Sequence, residues 1–248
     1  MPSTIETGHA KNVAIFQDLI SFCKGFGATY NPSSENLKLA ALNPQLAAAK
    51  AALQAVQTSK AVYDTATNER EIAIANLKPL STKIINAMVS AMINSQTVDD
   101  ARTVLNKIHG KRAKKVVVPS AQAIAEGAEP VRTASTAQGS YDKLVDHFSQ
   151  LIEILKVTPK YSPNENELKV TTLSAQLEDM RDKNLAVSNA WTDISNARIN
   201  RNNVLYAKET GMVDVAQAVK VYMKSVVGPK NPKYKQLTGL QFTKRVSD

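Results

Sequence analysis

One cysteine stands in a chain of 248 residues, so neither an internal disulfide nor a metal site built from several cysteines can form. Glycine (9) and proline (10) are scarce, and aromatic residues make up only 5%. The one tight β-branched run, Val116-Val117-Val118, is closed at once by Pro119. These shortages argue against a large sheet. No apolar run approaches the roughly 18 to 20 residues that a membrane helix requires. Met1 to Asn12 lacks the apolar core of a signal peptide. The expectation is a cytoplasmic protein with no membrane span. His9, His109 and His147 never stand three or four residues apart, and no Glu-x-x-His occurs. The helical metal sites that depend on such spacing are therefore not expected. Gly25-Phe26-Gly27 lacks the preceding strand and the Gly-Lys-Ser/Thr ending of a phosphate loop, and reads as a helix stop and turn.

What is abundant is alanine, with 32 residues, the best helix former. The chain also repeats itself. Tyr30-Asn31-Pro32 returns as Tyr161-Ser162-Pro163, an offset of 131. The same offset pairs Leu37 and Lys38 with Leu168 and Lys169, Leu42 with Leu173, Gln45 and Leu46 with Gln176 and Leu177, and Arg70 with Arg201. Upstream, an offset of 132 pairs Phe16, Leu19 and Ile20 with Phe148, Leu151 and Ile152. Each copy begins with a short amphipathic helix, near Lys11–Lys24 and Ser140–Lys156, whose apolar residues recur at steps of three and four. A Tyr-x-Pro loop follows. Ser33 or Ser34 in one copy and Asn164 with Glu167 in the other supply capping signals.

A long helix is then predicted over Glu35–Leu77 and over Glu165–Lys208. Its apolar positions alternate steps of 3 and 4, the pattern of a seam between long helices. Pro44 predicts a kink or break near Asn43. Trp191, which stands where the first copy has Lys60, is expected in that seam. A third helix is predicted near Pro79–Met92 and near Val213–Val227. The fold class is all-α: an elongated antiparallel helical bundle of two pseudo-symmetric copies of a short helix–long helix–short helix unit. Two separate three-helix units are the alternative. Copy one occupies 1–94, an inserted helix with a basic linker 95–137, copy two 138–228, and a basic tail without expected regular structure 229–248. In the insert, Thr97 reads as the cap of a short helix ending at Gly110.

The net charge of +9 is uneven. Residues 102–118 carry +6, residues 220–248 carry +6, and the remainder sums to −3. Lys107, Lys111, Arg112, Lys114 and Lys115 in the insert, and Lys230, Lys233 and Lys235 in the tail, are the candidate contacts to nucleic acid or another anionic surface. A second candidate is internal. Arg70 and Arg201 fall on the apolar seam, with Arg198 one turn from Arg201. They read as a buried ion pair with Asp64, Glu69, Glu71 or Asp193, or as an anion pocket between the long helices. Cys23 reads as a small hydrophobe on an apolar face, and His147 as a surface or edge residue.

The Tyr-x-Pro loops, Thr97-Val98-Asp99-Asp100-Ala101, the block Lys107–Lys114, Asn196-Ala197-Arg198-Ile199 and Tyr206–Gly211 resemble an uncharacterised family of bacterial proteins with no assigned activity. The resemblance implies a duplicated helical bundle and transfers no function. The expectation is a non-catalytic scaffold or interaction protein, with no cofactor, that binds a protein partner or itself. The alternative is a nucleic-acid or anionic-surface binder that uses the basic segments.

Overall fold

Asn94, Ser140 and Asn231 cap their helices through side-chain hydrogen bonds, whereas Asn76 and Gly211 at other helix starts make none. The computed structural model describes residues 4–111 and 139–243, and among these the regular structure is helical, with no β-strand. In chain order the helices are α1 (Thr4–Gly25), α2 (Leu39–Ala75), α3 (Leu77–Ser90), α4 (Ser95–Ile108), α5 (Tyr141–Lys156), α6 (Val170–Tyr206), α7 (Met212–Val227) and α8 (Pro232–Thr238).

The long helices α2 and α6 are 37 residues each. They start later than the sequence predicts, at Leu39 and Val170, because Glu35–Leu37 and Asn166–Leu168 first wind as 3₁₀ turns. Ser34 and Glu165 hold the cap positions of those turns without a side-chain bond, so the expected caps at Ser33, Ser34 and Asn164 are not what closes the loop. Two tyrosines close it. Tyr30 Oη donates to the Leu37 carbonyl at 2.5 Å, and Tyr161 Oη donates to the Leu168 carbonyl at 2.9 Å. Both tyrosines are buried.

Pro44 does not break α2. It lies in the second turn on the exposed face, where the one carbonyl left without its helical donor, that of Ala40, belongs to an exposed residue that water can reach. Asn94 rather than Thr97 caps α4, accepting from Gln96 N at 3.1 Å. The tail contains α8, which the sequence reading missed. Asn231 caps it, accepting from Lys233 N at 2.9 Å, and Pro232 takes the first helical position, where no N–H is needed.

The helices cluster into two compact units. One holds the residues up to Asp64 and those from Ala190 onward; the other holds Thr65–Asn189. The first unit packs α1, the start of α2, the end of α6, α7 and α8 around Phe16, Leu19, Leu42, Leu205, Met212 and Leu237. The second packs α5, the start of α6, the end of α2, α3 and α4 around Phe148, Leu151, Leu173, Leu77, Met88 and Ile108. Each unit thus draws on both the earlier and the later part of the chain. Within each, the start of one long helix lies with the end of the other.

Burial follows the repeat. Phe16 and Phe148, Leu19 and Leu151, and Leu42 and Leu173 are fully buried pairs. In α3 and α7 the buried positions Ser81, Ile84, Ile85 and Met88 return at the same offset of 131 as Met212, Val215, Ala216 and Val219. Each fully buried large apolar side chain contributes about 1.5 to 3 kcal/mol relative to exposure.

The tyrosine bonds make a matched prediction. Tyr30→Phe and Tyr161→Phe each remove one hydroxyl and leave a carbonyl without its donor. Each substitution should lower unfolding free energy by about 1 to 2 kcal/mol in urea denaturation. A difference of several-fold between the two would show that the loops do not play the same part.

Candidate functional site

The residues with chemistry to offer are distributed between the two units. In the first unit, Arg201 is buried, and its Nε and Nη2 donate to Asn202 Oδ1 at 3.2 and 2.9 Å. Arg198 on the same helix is half-buried. Arg70 belongs to the second unit, so the three guanidinium groups are not gathered within one unit. Arg70 lies flat over the Tyr141 ring, 4.0 Å from its centroid, and its Nε is buried without a hydrogen-bond partner. The carboxylates expected to meet it are engaged elsewhere. Glu69 holds Lys183 at 2.8 Å, Glu71 accepts from Tyr141 Oη at 3.4 Å, and Asp64 holds Lys60 at 2.6 Å. Asp193 is exposed on α6 in the first unit. The Arg70 guanidinium is held by an aromatic face, an attraction that grows as the cation loses water.

The candidate basic contacts divide in the same way. Lys107 and Lys111 are exposed at the end of α4 in the second unit. Arg112, Lys114 and Lys115 lie outside the described residues. Lys230 and Lys235 are exposed in the first unit. Lys233 is not free to serve: its Nζ donates to Thr29 Oγ1 at 3.1 Å and sits over the Phe26 ring. The tail behind it is tied down. Lys220, nearly buried, donates to the Leu240 carbonyl and lies over Phe242, and burial lowers its pKa. Asn12 clamps Thr243 by two bonds, Nδ2 to the carbonyl at 2.7 Å and the amide N to Oδ1 at 3.0 Å.

The nucleophile and acid–base candidates are committed to packing. Cys23 is buried, and burial pushes its thiol up to about 12, so it stays protonated near neutrality. Burial likewise raises the hydroxyl of its neighbour Tyr30. His9 shares a 2.6 Å bond with Tyr206 Oη. His109 Nε2 lies 3.2 Å from the Lys78 carbonyl. Among the described residues no group of three His, Cys, Asp or Glu side chains converges as a metal site. No helix among them is long and apolar enough to cross a membrane.

Two sequence expectations are overturned. Trp191 is not in the seam: it is 54% exposed, with its ring 5.6 Å from that of Tyr63 on α2, and the adjacent Val62 is also exposed. Lys60, its counterpart in the repeat, is likewise exposed. The seam turns to solvent at these two positions, although Val187 and Ile194 on either side of Trp191 are buried. His147 is not at the surface but 4% exposed, and neither ring nitrogen has a hydrogen-bond partner. The phase of α5 explains it. Phe148, Leu151 and Leu155 define the buried face, and His147 is four residues before Leu151. The flanking Asp146 suggested a polar edge, but adjacent helical positions point about 100° apart.

Burial lowers the His147 pKa below its ordinary 6.5, and the nearby Lys107 adds to the effect. Above that pH the imidazole is neutral in both folded and unfolded chains. Below it the unfolded chain binds the proton more readily, so stability falls with pH. Urea unfolding followed across the range below pH 6.5 should show that loss, and His147→Leu should reduce it. An identical acid profile in the variant would remove His147 as its source.

In comparisons with protein-family models, curated proteins and solved structures, no match to the chain was found.

Proposed function

We propose that the chain is a non-catalytic helical interaction protein, built from two pseudo-symmetric copies of one helical unit, which binds a protein partner or itself. The observation that carries the reading is the exposed Trp191, set against half-buried Tyr63 on the other long helix and beside exposed Val62. A tryptophan is costly to leave in water and rigid enough to order at little entropic cost. Such residues dominate the energetics of protein interfaces. The duplication is supported by the repeated tyrosine bonds and by the matching burial of residues 131 apart. The non-catalytic reading is favoured by the packing roles of Cys23, His9 and Tyr30.

Trp191 is the only tryptophan, so its emission reports directly on this surface. Mixing with the partner, or raising the protein's own concentration, should shift that emission to shorter wavelength. Trp191→Ala should weaken the association about 30-fold, the consequence of losing about 2 kcal/mol at an interface anchor. Equal association by wild type and Trp191→Ala would dismiss the Tyr63–Trp191 face as the contact.

A second reading, binding to nucleic acid or another anionic surface, is favoured by Lys107 and Lys111. Both are exposed at the C-terminal end of α4 without a carboxylate partner among the described residues, and they lead into Arg112, Lys114 and Lys115 in the sequence. Binding to mixed-sequence DNA at low salt should then weaken steeply as salt rises. It should be lost when Lys107, Lys111, Arg112, Lys114 and Lys115 are changed to serine. Absence of binding at low salt retires this reading.

A further inference from the structure

The loops that enter the two long helices are alike, but only one of them has an aromatic ring laid against it from the following short helix. In the first unit Tyr222, on α7, is half-buried beside the Tyr30-Asn31-Pro32 loop. Its ring stands edge-on to that of Tyr30, with centroids 5.6 Å apart and planes at 84°, and its Oη accepts from Asn31 N at 3.1 Å. Edge-to-face is one of the preferred arrangements of an aromatic pair. Pro32 in the same loop is buried.

In the second unit the offset of 131 puts Ala91 where the first has Tyr222. The backbone around that position is of the same kind. Tyr161 N donates to the Thr158 carbonyl at 2.9 Å, as Tyr30 N donates to that of Gly27 at 3.0 Å. Ala91 N donates to the Ala87 carbonyl at 3.0 Å, so the helical hydrogen bonding of α3 reaches the position. A methyl group thus stands where the first unit has a phenol ring. Beside it is an open hollow of about 180 Å³, lined by Ala87, Ser90 and Ala91 on one side and by Tyr161, Ser162 and Pro163 on the other. Pro163 is only half-buried, and Ser90 and Ser162 are exposed, so this lining is within reach of a ligand. Ser162 N, the counterpart of the amide that meets Tyr222, donates two residues back to the Lys160 carbonyl at 3.1 Å. The one charged lining residue among those described is Glu165, which is exposed. Burial, and after it the Glu165 charge, push the Tyr161 hydroxyl up to about 12, so the field of that carboxylate reaches the lining.

We infer that this hollow takes the tyrosine side chain of a basic segment in a partner protein. The inference rests on the interaction-protein reading and adds a place and a chemistry to it. Two observations choose the occupant. The first unit shows the same loop holding a phenol ring, and the Glu165 charge favours a lysine or arginine beside the incoming tyrosine. The incoming hydroxyl oxygen accepts from Ser162 N as Tyr222 Oη does from Asn31 N. The Lys160 carbonyl that it displaces belongs to an exposed residue that water can reach.

The test uses the full chain, labelled with nitrogen-15, and three short peptides. They are acetyl-tyrosyl-lysine amide, acetyl-alanyl-lysine amide and acetyl-tyrosyl-glutamate amide. The backbone amide signals of Ala91 and Ser162 are followed. The tyrosyl-lysine peptide should shift them saturably with a Kd of about 1 mM, the scale of one ring buried with one hydrogen bond. The alanyl peptide should give no saturable shift. The tyrosyl-glutamate peptide should bind several-fold more weakly, and Glu165→Gln should remove that difference. Ala91→Tyr fills the hollow with the side chain that the first unit carries, and should abolish the Ser162 shift; Ala91→Ile serves should the tyrosine variant fold poorly. No saturable shift with the tyrosyl-lysine peptide overturns the inference. So does an equal shift with the alanyl peptide, or a Ser162 shift that survives the filling of the hollow. Partner association that still depends on Trp191 alongside any of these results would leave the interaction reading standing and remove only this hollow.

Discussion

The tyrosine-to-carbonyl bond seven residues downstream is the constraint from which the rest of the helical arrangement follows. Each long helix is entered through a loop in which Tyr30 or Tyr161 is buried and donates to the last carbonyl of a 3₁₀ turn, that of Leu37 or Leu168. The bond does what a capping side chain does elsewhere, since it meets a backbone group that the turn leaves unpaired. It also fixes where the helix begins, and so which residues face the core. In α2 and α6 that phase buries Leu42 and Leu173 completely, three residues into regular helix. A shift of one residue would rotate each helix by about 100° and carry those leucines out of the core. The ring of Tyr30 extends the same constraint. It stands edge-on to Tyr222 at 5.6 Å, and Tyr222 Oη accepts from Asn31 N at 3.1 Å, so the loop before α2 is tied to α7 as well.

The apolar periodicity of this chain was readable because it is local and redundant. Phe16, Leu19 and Ile20, and their counterparts Phe148, Leu151 and Ile152, are buried as their spacing requires. Helix ends were less readable because several groups compete to satisfy them. Thr97 looked like a cap, but Asn94 lies closer to the chain reversal and accepts from Gln96 N. Pro44 looked like a break, but near the start of an exposed helix face the missing N–H strands a carbonyl that solvent can reach. Asn231 and Pro232 carry a helix-start signal within a segment whose lysines otherwise read as a basic tail.

The functional residues were harder to read, for a different reason. A seam position tells which way a residue points along an ideal stripe, not whether anything covers it. Trp191 and Lys60 share a repeat position and are both exposed. The exchange of a lysine for a tryptophan at an exposed position was itself the available signal. Arg70 and Arg201 show the same limit. They share a position, yet one lies against an aromatic ring and the other against an asparagine side chain. Sequence identity at that position did not fix the environment, because the environment comes from neighbouring helices whose own residues differ.

The matched places thus divide by what they do. Positions that hold the fold together are alike in burial even where the residue differs, as with Cys23 and Leu155 or Met88 and Val219. Positions that handle polar groups have diverged in what they meet. Gln45 Nε2 donates to the Thr210 carbonyl, whereas the buried Oε1 of Gln176 has no hydrogen-bond partner. An unsatisfied buried amide group costs about 1 to 3 kcal/mol. The alternative would have been simple, since a leucine at position 176 would remove that cost and add apolar contact with Met180. Trp191 likewise stands at a solvation cost, 54% exposed with its ring against that of Tyr63. What the paired positions share is burial, and where they part is in the polar and exposed side chains.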